Sequence, residues 1–205
     1  TEVYYGLQLQ LLVYLDAIIE SDKYKKSTLK PAAILYNRID NPIVKSNEDQ
    51  KDSIINEEIL KKLLPNRGKD TVILSPFYTD YGYNCLIGDK TFINHNAYLM
   101  DGAKITIGKN CFIGPNCGMY TAIHPLIAEE RNQGMEMAKP ITIGNNVWIG
   151  ADVTILPGVT IGEGCVIGAK SVVTNDIPDN VIAVGNPCRS LRPITEEDKI
   201  NHPFL

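Results

Sequence analysis

The sequence predicts a mainly β fold, a parallel β-helix of short strands, on three observations. An aliphatic residue recurs at every sixth position at Ile143, Ile149, Ile155, Ile161, Ile167 and Val173. Glycine follows at Gly144, Gly150, Gly162 and Gly168, and Val147, Val153, Val159, Cys165 and Ser171 sit four positions after the aliphatic residue. An earlier run, Ile87, Ile93 and Leu99, has the same step, slips by two residues and resumes at Ile107 and Ile113. A period of six fits neither the 3.6-residue helix nor the two-residue alternation of a flat strand. It fits a solenoid in which short strands and tight turns alternate, three such units closing one coil. The aliphatic residue fills the inside of each face, and glycine lets the chain turn where a Cβ would clash.

The elements follow in order. Residues 4–20 (YYGLQLQLLVYLDAIIE) place Leu7, Leu11, Tyr14, Leu15 and Ile18 on one helical face. Residues 23–28 are a basic break, and residues 31–40 alternate like a strand. Residues 47–51 read as a linker. Residues 56–64 (NEEILKKLL) predict a short helix with acids in its first turn and lysines near its end, as the macrodipole favours, and residues 65–69 close it. The solenoid then runs over about residues 71–176, with one long interruption between Gly118 and Ile141. Met119 and Ile143 are four hexapeptide steps apart, so the loop is expected to leave and re-enter in register. Long loops on a rigid scaffold are where chemistry concentrates. Residues 177–192 read as a coil-closing turn and strand. The expected division is an atypical N-terminal segment (1–46), linker and helix (47–70), repeat domain (71–192) and tail (193–205).

Composition sets bounds. A chain of 205 residues, 44% hydrophobic, suits one domain or one domain with an appendage. No apolar run approaches the ~18 residues of a membrane span. The stretch around Leu11–Leu15 lacks a basic flank and a cleavage site, so a signal peptide is not expected. A net charge of −4 disfavours nucleic acid as the main partner. The five cysteines show no C-x-x-C spacing, and Cys111, Cys117 and Cys165 fall in repeat slots, so they read as buried thiols. A soluble cytoplasmic protein is expected, with no membrane and no nucleic-acid partner.

Five segments carry a resemblance to a known family: PFYTDYGYN (76–84), INHNAYLMDGAKITIG (93–108), IGPNCGMYTAIHP (113–125), ITIGNNVWIG (141–150) and VGNPCR (184–189). In order and spacing, residues 52–192 resemble the hexapeptide-repeat acyltransferases, in the maltose, galactoside and nodulation-factor O-acetyltransferase branch. The resemblance implies a left-handed coil, acetyl-CoA as co-substrate without a metal, a sugar acceptor, and a homotrimer with sites between adjacent coils. The left hand opposes the usual right-handed crossover. Residues 1–46 instead resemble the end of the nuclease domain of bacterial helicase–nuclease repair subunits, through Gln10 and Tyr14. That pattern fits a fusion, a misjoined start or a coincidence of amphipathic spacing. The acids and lysine of those nucleases would lie upstream, so no nuclease chemistry is expected.

His124, in YTAIHPL where the repeat breaks, matches the family's catalytic histidine. A sugar hydroxyl needs a base as it attacks a thioester, and imidazole, with an ordinary pKa near ~6.5, suits that task. No nucleophile elbow is visible, which favours direct transfer in a ternary complex. By resemblance Asn94 and Asp101 flank the site. Asn94 stands where a turn glycine is usual, so its amide either bonds the acceptor or a developing oxyanion or is a solvated turn residue. Asp101 either orients acceptor hydroxyls or the histidine, or forms a turn. Asp80 matches an acceptor position, and Glu136 in the loop is a further substrate-binding candidate. On the donor side Trp148 points outward and can cover the pantetheine arm. Ala151 and Ala169 follow turn glycines where the family lets the cofactor approach the backbone, with Thr174 and Asn175 one coil further along. Arg189 and Arg192 can meet the phosphates.

Other readings stay open: acetylation of serine or a xenobiotic hydroxyl, or a coil kept only for oligomerisation. A γ-class carbonic anhydrase needs three histidine ligands, and the chain has only His95, His124 and the tail's His202. A reactive Cys188 lacks an activating neighbour in the sequence.

Overall fold

The computed structural model describes residues 37–39 and 57–200. The chain coils through about six turns, each crossing three parallel sheets. The first face stacks Val72–Ile73, Phe92–Ile93, Phe112–Ile113, Trp148–Ile149, Val166–Ile167 and Val181–Val184. The second stacks Phe77–Thr79, Ala97–Met100, Gly118–Tyr120, Thr154–Ile155 and Val172–Val173. The third stacks Cys85–Ile87, Ile105–Ile107, Ile141–Ile143 and Thr160–Ile161.

The strands are short because each serves one face. Their inward residue is the aliphatic of the repeat: Ile73, Ile93, Ile113, Ile149 and Ile167 stack up the first face, all buried. The expected register across the interruption is observed, since Ile107 pairs with Ile143 and Met119 with Ile155. All five cysteines are free and buried. Cys111 and Cys117 give their thiols to the carbonyls of Gly144 and Gly150 on the next coil, at 3.2 and 3.1 Å. Burial pushes the Cys117 thiol up to about 11.

Two turn positions do different work. The glycine after the aliphatic residue permits close stacking: a Cβ on Gly150 would lie 2.7 Å from the backbone nitrogen of Ala169. The left-handed backbone falls two residues later, on Asn96, Asn110, Asn116, Asn146, Asp152 and Lys170, with φ between 53° and 60°. Asparagine and aspartate tolerate that region better than most side chains. Here they also hydrogen-bond along the corner, Asn96 to Asn116 and Asn116 to Asp152.

Helix α1 (Glu57–Leu63) forms as expected, and Leu60 and Leu64 bury themselves in the coil's core. At the other end Arg189–Pro193 turns back antiparallel against Val181–Val184 and stops the stack. The strand expected within residues 31–40 is present as Asn37–Ile39, antiparallel to Phe77–Thr79. It therefore belongs to the coil's second sheet, and the boundary expected at residue 46 falls after an element of that sheet. The helix expected over residues 4–20, with Gln10 and Tyr14, lies outside the described residues, as does His202. Among the described residues no helix is long and apolar enough to cross a membrane.

Candidate active site

Each coil has three corners, and the sequence-predicted residues divide between two of them. At the corner leaving the second face, Asp80 follows Phe77–Thr79, Asp101 follows Ala97–Met100, and the long loop follows Gly118–Tyr120. The loop's stem is a two-stranded antiparallel pair, Ala122–Ile123 with Met137–Ala138. Buried Thr121 anchors it: its hydroxyl donates to the Met100 carbonyl at 2.6 Å and accepts from the backbone of Ala103 at 3.0 Å. The stem puts exposed His124 opposite Met135, with Nδ1 3.4 Å from the Met135 carbonyl. A short helix, α2 (Ala128–Asn132), fills the loop, and Arg131 donates back to the Pro125 carbonyl at 2.8 Å.

Glu136, next to Met135, lies within electrostatic reach of Asp80. Burial raises the Asp80 carboxyl above its usual range, and the Asp101 and Glu136 carboxylates add to the rise. The Tyr98 hydroxyl, donating to Asp80 Oδ1 at 2.6 Å, acts the other way. Tyr98 is flanked edge-on by Tyr78 and Tyr120, with ring centroids 6.3 and 5.8 Å away. Sequence reasoning missed this row of tyrosines. The signal was there: Tyr78 and Tyr98 are one coil apart and pair as neighbours on the outer side of the second face.

Asp101 differs from the expectation of a residue facing the acceptor. It is fully buried, and its carboxylate accepts from Thr79 Oγ1 at 2.9 Å, Tyr81 N at 2.8 Å and Asn84 N at 3.2 Å. Its oxygens are spent inside the protein, holding the turn that presents Asp80.

The remaining candidates line the corner between the first and second faces. Asn94, Ala151 and Ala169 occupy it on three coils, and exposed Trp148 stands beside it, outward on the first face and paired with exposed Phe112. Among the described residues nothing accepts from the backbone N–H of Ala151 or Ala169. Asn94 and His124 are thus not brought together within one chain, because the strand Ala97–Met100 and its turns lie between their corners. At ~3.3 Å per extended residue that is about 15 Å.

Thr174 and Asn175 do not continue the line of Ala151 and Ala169. They follow Val172–Val173, one face beyond, and their side chains bond each other at 2.8 Å. Asn175 does line a recess of about 330 Å³ with Asp176, Ile177, Cys188, Arg189 and Ser190. Arg189 is exposed, and its guanidinium donates only to the Cys188 carbonyl among the described residues. Arg192 is already engaged, its guanidinium forked onto Asp198 at 2.8 and 2.6 Å, where it holds the Asp198 carboxyl down to about 2.

The geometry can be set against known proteins. The family described as bacterial transferase hexapeptide (six repeats) matches residues 140–175, and the hexapeptide repeat of succinyl-transferase matches residues 104–124. A Saccharomyces cerevisiae protein named as an acetyltransferase is 51% identical over 158 residues, covering 77% of this chain and 78% of its own. The chain belongs to the hexapeptide-repeat acetyltransferases. Solved members agree with its left-handed coil. A maltose O-acetyltransferase from Clostridium difficile superposes with a TM-score of 0.70 at 44% identity, over 76% of this chain and 81% of that one. A galactoside acetyltransferase in complex with coenzyme A gives 0.68 at 45% identity, over 69% and 71% of the two chains. Both family matches in this hexapeptide acetyltransferase lie in the coil, and neither includes residues 1–46.

Proposed function

We propose that the protein moves an acetyl group from acetyl-CoA to a hydroxyl of a sugar or glycoside. The observation that carries this reading is the loop that interrupts the repeat: its stem holds His124 against the Met135 carbonyl and brings Glu136 toward Asp80. A carbonyl only accepts, so the neutral ring carries its proton on Nδ1, and Nε2 is the basic nitrogen. His124 Nε2 takes the acceptor hydroxyl's proton as that oxygen attacks, then returns it to the leaving sulfur. Asp80, with one oxygen held by Tyr98, receives an acceptor hydroxyl on the other, and the tyrosine row gives the sugar ring an apolar face.

The donor's fit rests on the other corner. Acetyl-CoA supplies an activated thioester at the end of a long amide-bearing arm. The N–H groups of Ala151 and Ala169 are available to that arm where glycines keep the corner low, and Trp148 stands ready to cover it. Arg189 at the recess suits the phosphates, with Asp176 the opposing charge there; Arg192 would first have to leave Asp198.

Because Asn94 and His124 sit on different corners, the complete site forms between two copies, as in a homotrimer. Exposed Phe112, Trp148 and the loop's Leu126, 94% exposed, supply apolar surface for that contact. The test is release of free CoA thiol over a panel of mono- and disaccharides. At least one sugar should turn over, and His124→Ala should lower kcat by ~10²–10⁴ with CoA affinity kept. A loss below tenfold would remove His124 as the base.

A further inference from the structure

Asn94 stands in a slot that is glycine on the coils above it, at Gly114, Gly150 and Gly168. Its Oδ1 accepts from the backbone N–H of His95 at 2.8 Å. A backbone N–H can only donate, so this bond settles which end of the amide is oxygen. Asn94 therefore offers the solvent side its Nδ2, a pure donor, and among the described residues nothing accepts from it.

His95 is itself tied down. Its Nδ1 hydrogen-bonds the Ser75 carbonyl on the preceding coil. The carbonyl accepts, so Nδ1 is the protonated nitrogen. The backbone around the pair is pinned both ways along the stack: Asn94 N donates to Ile113 O, Asn96 N to Pro76 O, and His95 O accepts from Asn116 N. Among the described residues, the His95 ring adds the one side-chain tie from this turn to the previous coil, through Ser75.

We propose that His95 is a positioning residue for acetyl transfer: by clamping the turn to Ser75 it holds Asn94 as a donor-only group aimed at the oxygen that gains charge as the hydroxyl attacks. The assignment rests on the reading of the site given above, and it makes Asn94 a partner for an oxygen acceptor rather than for an acceptor's O–H proton.

The test uses the full chain and the sugar that turns over fastest in the panel. Asn94→Ala should lower kcat by ~10²-fold, the usual effect of losing one oxyanion donor. His95→Ala should lower kcat about tenfold with the acetyl-CoA KM unchanged. His95→Asn should restore most of kcat, because its Nδ2 sits at the same distance along the side chain as the imidazole Nδ1 and can donate to Ser75. In an Asn94→Ala background, His95→Ala should cost less than twofold more, since a brace without its load has nothing to lose. Full additivity of the two changes, or no rescue by His95→Asn, would overturn the positioning role. If Asn94→Ala kept wild-type kcat, the donor role of Asn94 would fall and the proposal with it. If His124→Ala were silent as well, the acetyl-transfer reading itself would fail.

Discussion

At the scale of single residues, burial separates groups a ligand can reach from groups whose polar atoms are used inside the protein. Asp80 and Asp101 follow the second face on successive coils, yet only Asp80 keeps an accessible oxygen. Three donors from Thr79, Tyr81 and Asn84 consume the Asp101 carboxylate. Asp80→Asn should therefore raise the acceptor KM about ten- to a hundredfold, the worth of a hydrogen bond to a charged group, and leave the acetyl-CoA KM unchanged. Initial-rate kinetics with each substrate varied would check this, and a shift confined to the donor KM would contradict it. Asp80 could be picked out as a candidate in DYG. Its partner Tyr98 was not read, because an aromatic on an outward slot matters only once the coil places it beside a carboxylate.

At the scale of elements, two features of the coil can be probed. The corner glycine is a stacking device: a Cβ on Gly150 would meet Ala169 N at 2.7 Å, backbone against backbone. Gly150→Ala should cost ~1–3 kcal/mol, as overpacking does, visible as a lower midpoint in urea. The C-terminal hairpin is clasped by Arg192 and Asp198. Asp198 has its folded pKa depressed to about 2, against ~3.9 for a free aspartate. Its contribution is thus fully present above about pH 4 and is lost as pH falls toward 2. Solvent exposure keeps the effect small. The melting difference between wild type and Asp198→Asn should shrink between pH 5 and pH 2, and a constant difference would mean that the clasp adds no stability.

At the scale of the whole molecule, the division of the candidate site between two corners makes a demand on assembly. If each site joins Asn94 of one copy to His124 of another, two dead variants can repair each other. Asn94→Ala and His124→Ala homo-oligomers should each show little turnover. Unfolded together and refolded at equal amounts, they should recover about a quarter of the wild-type sites, the share in which both good residues meet by random mixing. No recovery would place each site within one chain. Sedimentation equilibrium on the same samples would report whether the unit is a trimer.

The repeat itself was readable from the chain because a solenoid writes its geometry into a fixed period. Aliphatic residues every sixth position, the glycine after them and the unbroken register from Met119 to Ile143 determined the coil, its strands and the place where a loop must leave it. His124 could be picked out as a candidate because it sits where that pattern breaks, and Trp148 because it is a large residue on an outward slot within it. Tertiary structure alone decided the rest, since a linear period does not say what meets a residue from the neighbouring coil or from a loop. It turned Asp101 inward and took Arg192 for Asp198, whereas the place of Thr174 and Asn175, one hexapeptide step and so one face beyond Ala169, was already implied by the period. Those two outcomes depend on hydrogen bonds that a period does not encode, to Asp101 from residues about a coil away and from Arg192 to Asp198 across a turn, and only the folded chain makes them.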